Sequence, residues 1–108
     1  MPIYNKLVRD GIPSIIALDN KKYTINVLEP TQHELEIKRK LDEELKEYQK
    51  ASSNEEAVEE LADLLELIHA VLPLHNSTIE ELEQVRLAKR DKRGGFDKGY
   101  YLIEVEDD

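Results

Sequence analysis

Apolar positions recur at helical spacing along three long stretches of the chain. Residues 31–51 place Ile37, Leu41, Leu45 and Tyr48 on one arc, and residues 55–72 do the same with Ala57, Val58, Leu61, Leu64, Leu65, Ile68 and Val71. A third stretch opens at Ser77 and reaches about Arg93, where Gly94-Gly95 reads as a stop. Each stretch carries a start signal of the capping-box type: Thr31 with Glu34, Ser53 with Glu56, and Ser77 with Glu80. Pro73 is expected to end the second stretch, because the residue before a proline avoids helical backbone. A shorter apolar group, Ile12, Ile15 and Ile16, follows Asp10-Gly11 and predicts a short helix over 12–19 with Pro13 in its first turn. The period changes to two over 22–29, where Tyr23, Ile25 and Val27 alternate. That stretch predicts a strand, with the tail segment around Tyr100–Val105 as its pairing partner. The polar break at 52–54 is short, so the helices on either side should be antiparallel neighbours. The expected fold is therefore all-α: an antiparallel bundle of three long helices, a short N-terminal helix and a minor two-strand element, in one domain over residues 1–108.

Composition narrows the class. With 36% charged and 40% hydrophobic residues in 108, the core is modest and the outer faces are solvated, which suits a small helical protein that associates with copies of itself. The net charge of −9 argues against a general nucleic-acid binder, since phosphate backbones need a basic face. It leaves room for a nucleotide held through a divalent cation. The sequence contains no cysteine, which removes disulfides and thiolate metal sites. No apolar run approaches the length of a membrane span, and the N-terminus has no signal-peptide character, so a cytoplasmic location is expected.

Within the two longest helices lies an acidic pattern, E-E-x-x-E at Glu43, Glu44 and Glu47 and E-x-x-D at Glu60 and Asp63. A spacing of three residues puts the members of a pair on one helix face. Such pairs arise readily in a chain with 24 acids, and the plain reading is a solvated surface. Placement tells against it. At about 100° per residue, Glu60 projects between Leu67 and Val71, inside the apolar arc; Asp63 lies at its edge, Glu44 borders Ile37 and Tyr48, and Glu47 sits just outside. Glu43, Glu59 and Glu66 fall further round. A carboxylate in an apolar arc must be neutralised, paired or bound to a metal. Oxygen ligands alone, folded together by the 52–54 break, favour Mg²⁺ or Mn²⁺. Glu66-x-x-His69 has the spacing of a di-iron carboxylate site but lacks the second such motif.

The stretch Lys89-Arg90-Asp91-Lys92-Arg93 is unusual in so acidic a chain. Two roles fit it: compensation of a helix dipole at its C-terminus, or contact with phosphate. Lys6 and Arg9, on the N-terminal arm, fit the second role as well. No glycine-rich phosphate loop and no nucleophile elbow is present, so metal-activated water is the natural chemistry.

The acidic pattern, together with Tyr4-Asn-Lys-Leu-Val-Arg-Asp-Gly-Ile-Pro13 and Lys92-Arg-Gly-Gly-Phe96, resembles the all-α nucleoside triphosphate pyrophosphatases, in the branch of MazG-like and phosphoribosyl-ATP-pyrophosphohydrolase-like proteins. The resemblance implies Mg²⁺-dependent hydrolysis of a nucleoside triphosphate between its α- and β-phosphates, in a homodimer or homotetramer. It implies Glu44, Glu47, Glu60 and Asp63 as metal ligands and Glu43 as an acid that orients a ligand or water; Lys6, Arg9, Lys89, Arg90 and Arg93 are the phosphate contacts expected from their own chemistry. A phosphoribosyl-ATP pyrophosphohydrolase in histidine synthesis is an alternative within the family. A non-enzymatic helical interaction module is the alternative outside it.

Overall fold

The computed structural model describes residues 2–107. Four helices are present: α1 (Ile12–Leu18), α2 (Pro30–Lys50), α3 (Asn54–Val71) and α4 (Ile79–Arg93), with a 3-10 turn at Leu72–His75 after α3. The chain divides into two units, Met1–Asn76 and Ser77–Asp108. The first holds the N-terminal arm, α1 and the α2/α3 hairpin; the second holds α4 and the tail. All described secondary structure is helical, in keeping with the expected all-α class.

Helix starts follow local chemistry, with two corrections of register. Helix α2 begins one residue before the expected cap, with Pro30 in its first turn and Glu29 as N-cap without a side-chain bond. Proline has no N–H to satisfy and its φ is already helical, so it displaces Thr31 from the cap position. Glu34 is released from the capping box and pairs with Lys38 at 3.0 Å. Helix α3 starts as expected: Ser53 accepts from the Glu56 N–H at 3.1 Å. Glu56 in turn accepts from the N–H and hydroxyl of Ser52 at 3.0 and 3.1 Å. In α4 the cap is Thr78 rather than Ser77; Thr78 Oγ1 accepts from the Glu81 N–H at 3.2 Å, and Ser77 bonds the Glu81 carboxylate instead. Both residues could cap, and the one whose extended backbone meets the first turn prevails.

Helix α3 stops at Val71, ahead of Pro73 as expected, but the chain keeps a helical course a little further. Leu72 keeps helical backbone, the chain tightens into the 3-10 turn that contains the proline, and Asn76 closes it at φ 55. At the far end of α4, Gly94 takes φ 83 as the expected stop.

The expected two-strand element does not form among the described residues. Neither residues 22–29 nor the tail segment 100–105 forms a strand among the described residues. Alternation makes a segment ready for a ladder, but a strand exists only with a partner row of backbone groups. Tyr23, Ile25 and Val27 accordingly remain exposed.

In the first unit, α2 and α3 pack along each other. Ile37 is fully buried and Leu72 nearly so; Leu41, Leu64, Leu67, Ile68 and Val71 are half-buried around them. Full burial of a side chain such as Ile37 contributes about 1.5–3 kcal/mol. The apolar arc of α3 is wider than α2 can cover: Val58, Leu61 and Leu65 stay exposed along one stripe. Among the described residues no helix is long and apolar enough to cross a membrane.

Candidate metal centre between α2 and α3

The helical hairpin brings Glu44 of α2 against Glu60 and Asp63 of α3. One carboxylate oxygen of each lies within 4.8 Å of the others. The spacing of three on α3 puts Glu60 and Asp63 on one side of that helix, and the break at Ala51–Ser53 returns them beside Glu44. The three differ in depth. The Glu44 side chain is 13% exposed and that of Asp63 36%, so Glu44 lies inside and Asp63 at the rim. Glu60 Oε2 is buried without any hydrogen-bond partner. A buried carboxylate oxygen lacking a donor is costly, and its position inside the leucine arc of α3 is the one the helical spacing predicts.

The charges are strongly coupled. Burial pushes the Glu44 carboxyl up to about 7; a hydrogen bond with Glu60 and the negative charges of Asp63 and Glu60 push the same way, while Lys40 opposes them. Carboxylates this close repel one another when ionised, and Glu60 Oε2 has no donor to offset its charge. Sharing one proton, or accepting one cation, relieves both.

Two bases stand at the margin. Lys40, one turn before Glu44, lies 3.8 Å from it and 3.5 Å from Glu43. Arg9 reaches in from the N-terminal arm and donates to Asp63 Oδ1 at 2.5 Å. The guanidinium is stabilised first by Asp63 and further by the charges of Glu66 and Glu44.

The residues predicted as metal ligands are therefore partly assembled. Glu44, Glu60 and Asp63 converge, whereas Glu47, one turn on from Glu44, remains exposed and does not join the group. Glu43 faces Lys40 from outside. Of the predicted phosphate contacts, Arg9 is engaged with an acid of the cluster, and the Lys6 ammonium lies 6.0 Å from the Tyr4 ring centroid. In the second unit Arg90 approaches Asp97 at 3.4 Å, while Lys89 and Arg93 have no ion-pair partner among the described residues. Arg90 and Arg93 sit in the last turn of α4, where they also compensate the helix dipole. Lys40 was not anticipated; its signal is the spacing of four residues before Glu44. The Arg9–Asp63 pair joins residues 54 apart in sequence, and no local pattern announces it.

The donor set fits a hard divalent cation. It consists of oxygens only, one of them buried and unpaired, with Asp63 at the solvent edge. An open groove lined by Tyr48, Ala51, Asn54 and Ala57 lies at the α2–α3 turn; Tyr48 is about one helical turn from Glu44 and Ala57 about one turn from Glu60. No protein-family model, curated protein or solved structure matches this chain.

Proposed function

We propose that this protein is an Mg²⁺-dependent nucleoside triphosphate pyrophosphohydrolase that cleaves between the α- and β-phosphates. The single observation that carries the reading is the convergence of Glu44, Glu60 and Asp63, of which Glu60 has an oxygen buried without a donor. The resemblance of the acidic pattern to the all-α pyrophosphatases supports the same chemistry. Glu44, Glu60 and Asp63 would hold the cation, with Glu47 at the rim as a further ligand and Glu43 as an orienting acid. Mn²⁺ suits the same oxygens. When bound, the cation lowers the pKa of its water and offsets charge on the phosphate oxygens.

Water would add to the α-phosphorus and give up a proton to solvent, while the α–β bridging P–O bond breaks and its electron pair leaves on the pyrophosphate; the products are a nucleoside monophosphate and pyrophosphate. The chain's own part is to fix the carboxylates on two packed helices, so that little reorganisation is needed during the reaction. The groove at the hairpin turn offers room for the nucleoside beside the acids. Lys6 and Arg9, in the same unit as the acids, would supply positive charge for the triphosphate; Lys89, Arg90 and Arg93 of the second unit carry the same chemistry. The exposed stripe Val58, Leu61 and Leu65 supports a homodimer or homotetramer in which a second copy covers it. The absence of cysteine suits a cytoplasmic location.

The test is pyrophosphate release from a panel of ribo- and deoxyribonucleoside triphosphates with Mg²⁺, for the wild type and Glu60→Gln side by side. Release by the wild type and its loss in the variant are expected. A folded wild type that binds Mg²⁺ and releases no pyrophosphate from any of them would refute the reading.

A further inference from the structure

The positive charge closest to the acidic cluster belongs to the protein itself. Arg9 donates to Asp63 Oδ1 at 2.5 Å, and its side chain is still 58% exposed. It is therefore held at the rim by charge, with little packing around it. Among the described residues this is the arm's one side-chain hydrogen bond to the α2/α3 hairpin. Residues 2–8 have no helix or strand, and all but half-buried Leu7 are exposed. The backbone of Arg9 is tied instead to α1, through the Ile12 N–H at 3.0 Å. A guanidinium does not give up its proton near neutral pH, so its charge leaves the cluster only if the side chain moves.

We propose that Arg9 is a displaceable counter-ion: its guanidinium occupies the cation's position at Asp63, and a divalent ion entering between Glu44, Glu60 and Asp63 expels it and unlatches the N-terminal arm. This rests on the metal reading of the cluster given above. A dication and a guanidinium that share Asp63 repel each other, and the partly buried site screens that repulsion less than water does. Ion loading and arm release are then two sides of one equilibrium, so each must oppose the reverse of the other. A site that loses the guanidinium should hold the ion more tightly.

The experiment is a Mn²⁺ titration of chelator-stripped full chain by calorimetry, for wild type, Arg9→Gln and Glu60→Gln, with trypsin cleavage after Lys6 followed by mass spectrometry. Arg9→Gln is expected to bind Mn²⁺ about 3–10-fold more tightly than wild type, a range set by one unit charge acting through a partly solvated site. In the wild type, Mn²⁺ should speed cleavage after Lys6, and Asp63→Asn should speed it without metal. Equal or weaker Mn²⁺ binding by Arg9→Gln, with Glu60-dependent binding intact, overturns the counter-ion role and leaves the metal site standing; Arg9 would then be orienting Asp63. An arm whose cleavage ignores Mn²⁺ also overturns it. Absence of Mn²⁺ binding in both wild type and Arg9→Gln overturns this inference and the metal reading together.

Discussion

The acids between α2 and α3 and the bases at the end of α4 are both runs of like charge on amphipathic helices, yet they meet different surroundings. The acids are drawn inward. Glu44 is 13% exposed, its carboxyl is pushed up to about 7, and Glu60 keeps an oxygen buried with no donor. The bases stay in water: the Arg90 side chain is 50% exposed, and Lys89, Lys92 and Arg93 are exposed beside it. Solvated cations in the last turn of a helix gain from its dipole and need nothing else. Half-buried carboxylates that face one another are destabilising unless something neutralises them. The second arrangement is hard to retain for stability alone, and so it is the one that points to a ligand.

The largest test of this contrast removes the charge and keeps the volume. Glu60→Leu extends the leucine arc of α3 with a side chain that needs no donor. If Glu60 is a cation ligand as proposed, pyrophosphate release should fall about 100-fold or more. The metal-free protein should become more stable by about 1–3 kcal/mol, the cost of the buried charge it no longer carries. Arg93→Leu, the same kind of change at the basic end, should alter stability by less than about 0.5 kcal/mol. Urea unfolding in chelator reads both. If Glu60→Leu is destabilised, the carboxylate is satisfied in the fold and the case for a cation weakens.

A smaller effect separates the regions by pH. The folded-state Glu44 carboxyl lies near 7 against an ordinary value of 4.5. Below about 4.5 both folded and unfolded chains hold this proton and its contribution to stability is full. Between about 4.5 and 7 the unfolded chain gives the proton up while the folded protein keeps it. Stability then declines with rising pH, and the contribution is gone above about 7. At about 1.4 kcal/mol per pKa unit the ceiling is about 3.5 kcal/mol, and solvent screening reduces it to about 1–2 kcal/mol. Urea midpoints in chelator at pH 5 and pH 8 should show this decline in the wild type and its loss in Glu44→Gln. An equal decline in both would assign it to other groups.

What could be read from the sequence follows from how local each cause is. Helical periodicity and the Ser53 cap act within a few residues, and both were legible. The start of α2 and the Ser77/Thr78 choice depend on which of two adjacent competent residues takes extended backbone, which spacing alone does not decide. The depth of Glu60 was legible because a helical wheel fixes direction. The same wheel puts Glu47 just outside the arc of α2, where it is found; only its assignment as a ligand, made from the resemblance, went further than the wheel. The expected strands failed for a related reason: alternation at 22–29 and 100–105 describes the segments and says nothing of a partner. Arg9 meeting Asp63 depends on the path of the arm, which carries no periodic signal at all.

The smallest test lies wholly at the basic end, where two adjacent glycines do different things. Gly94 has φ 83 and ψ 176, a conformation open to glycine almost alone, and its N–H closes the last turn on the Arg90 carbonyl at 2.7 Å. Gly95 has no such constraint, but a Cβ there would come 2.8 Å from Arg90 Nη1. That atom is the end of a flexible, half-exposed side chain, so Arg90 can swing aside and lose only its 3.4 Å approach to Asp97. Gly94→Ala should therefore fray the α4 terminus, raising amide exchange at residue 94 about 10-fold for about 1.4 kcal/mol of backbone strain. Gly95→Ala should change it by less than about 2-fold, since an exposed ion pair contributes little. The reverse order would mean that the Arg90–Asp97 contact, rather than the left-handed stop, holds the end of the helix, and that the basic cluster is more than a set of solvated charges.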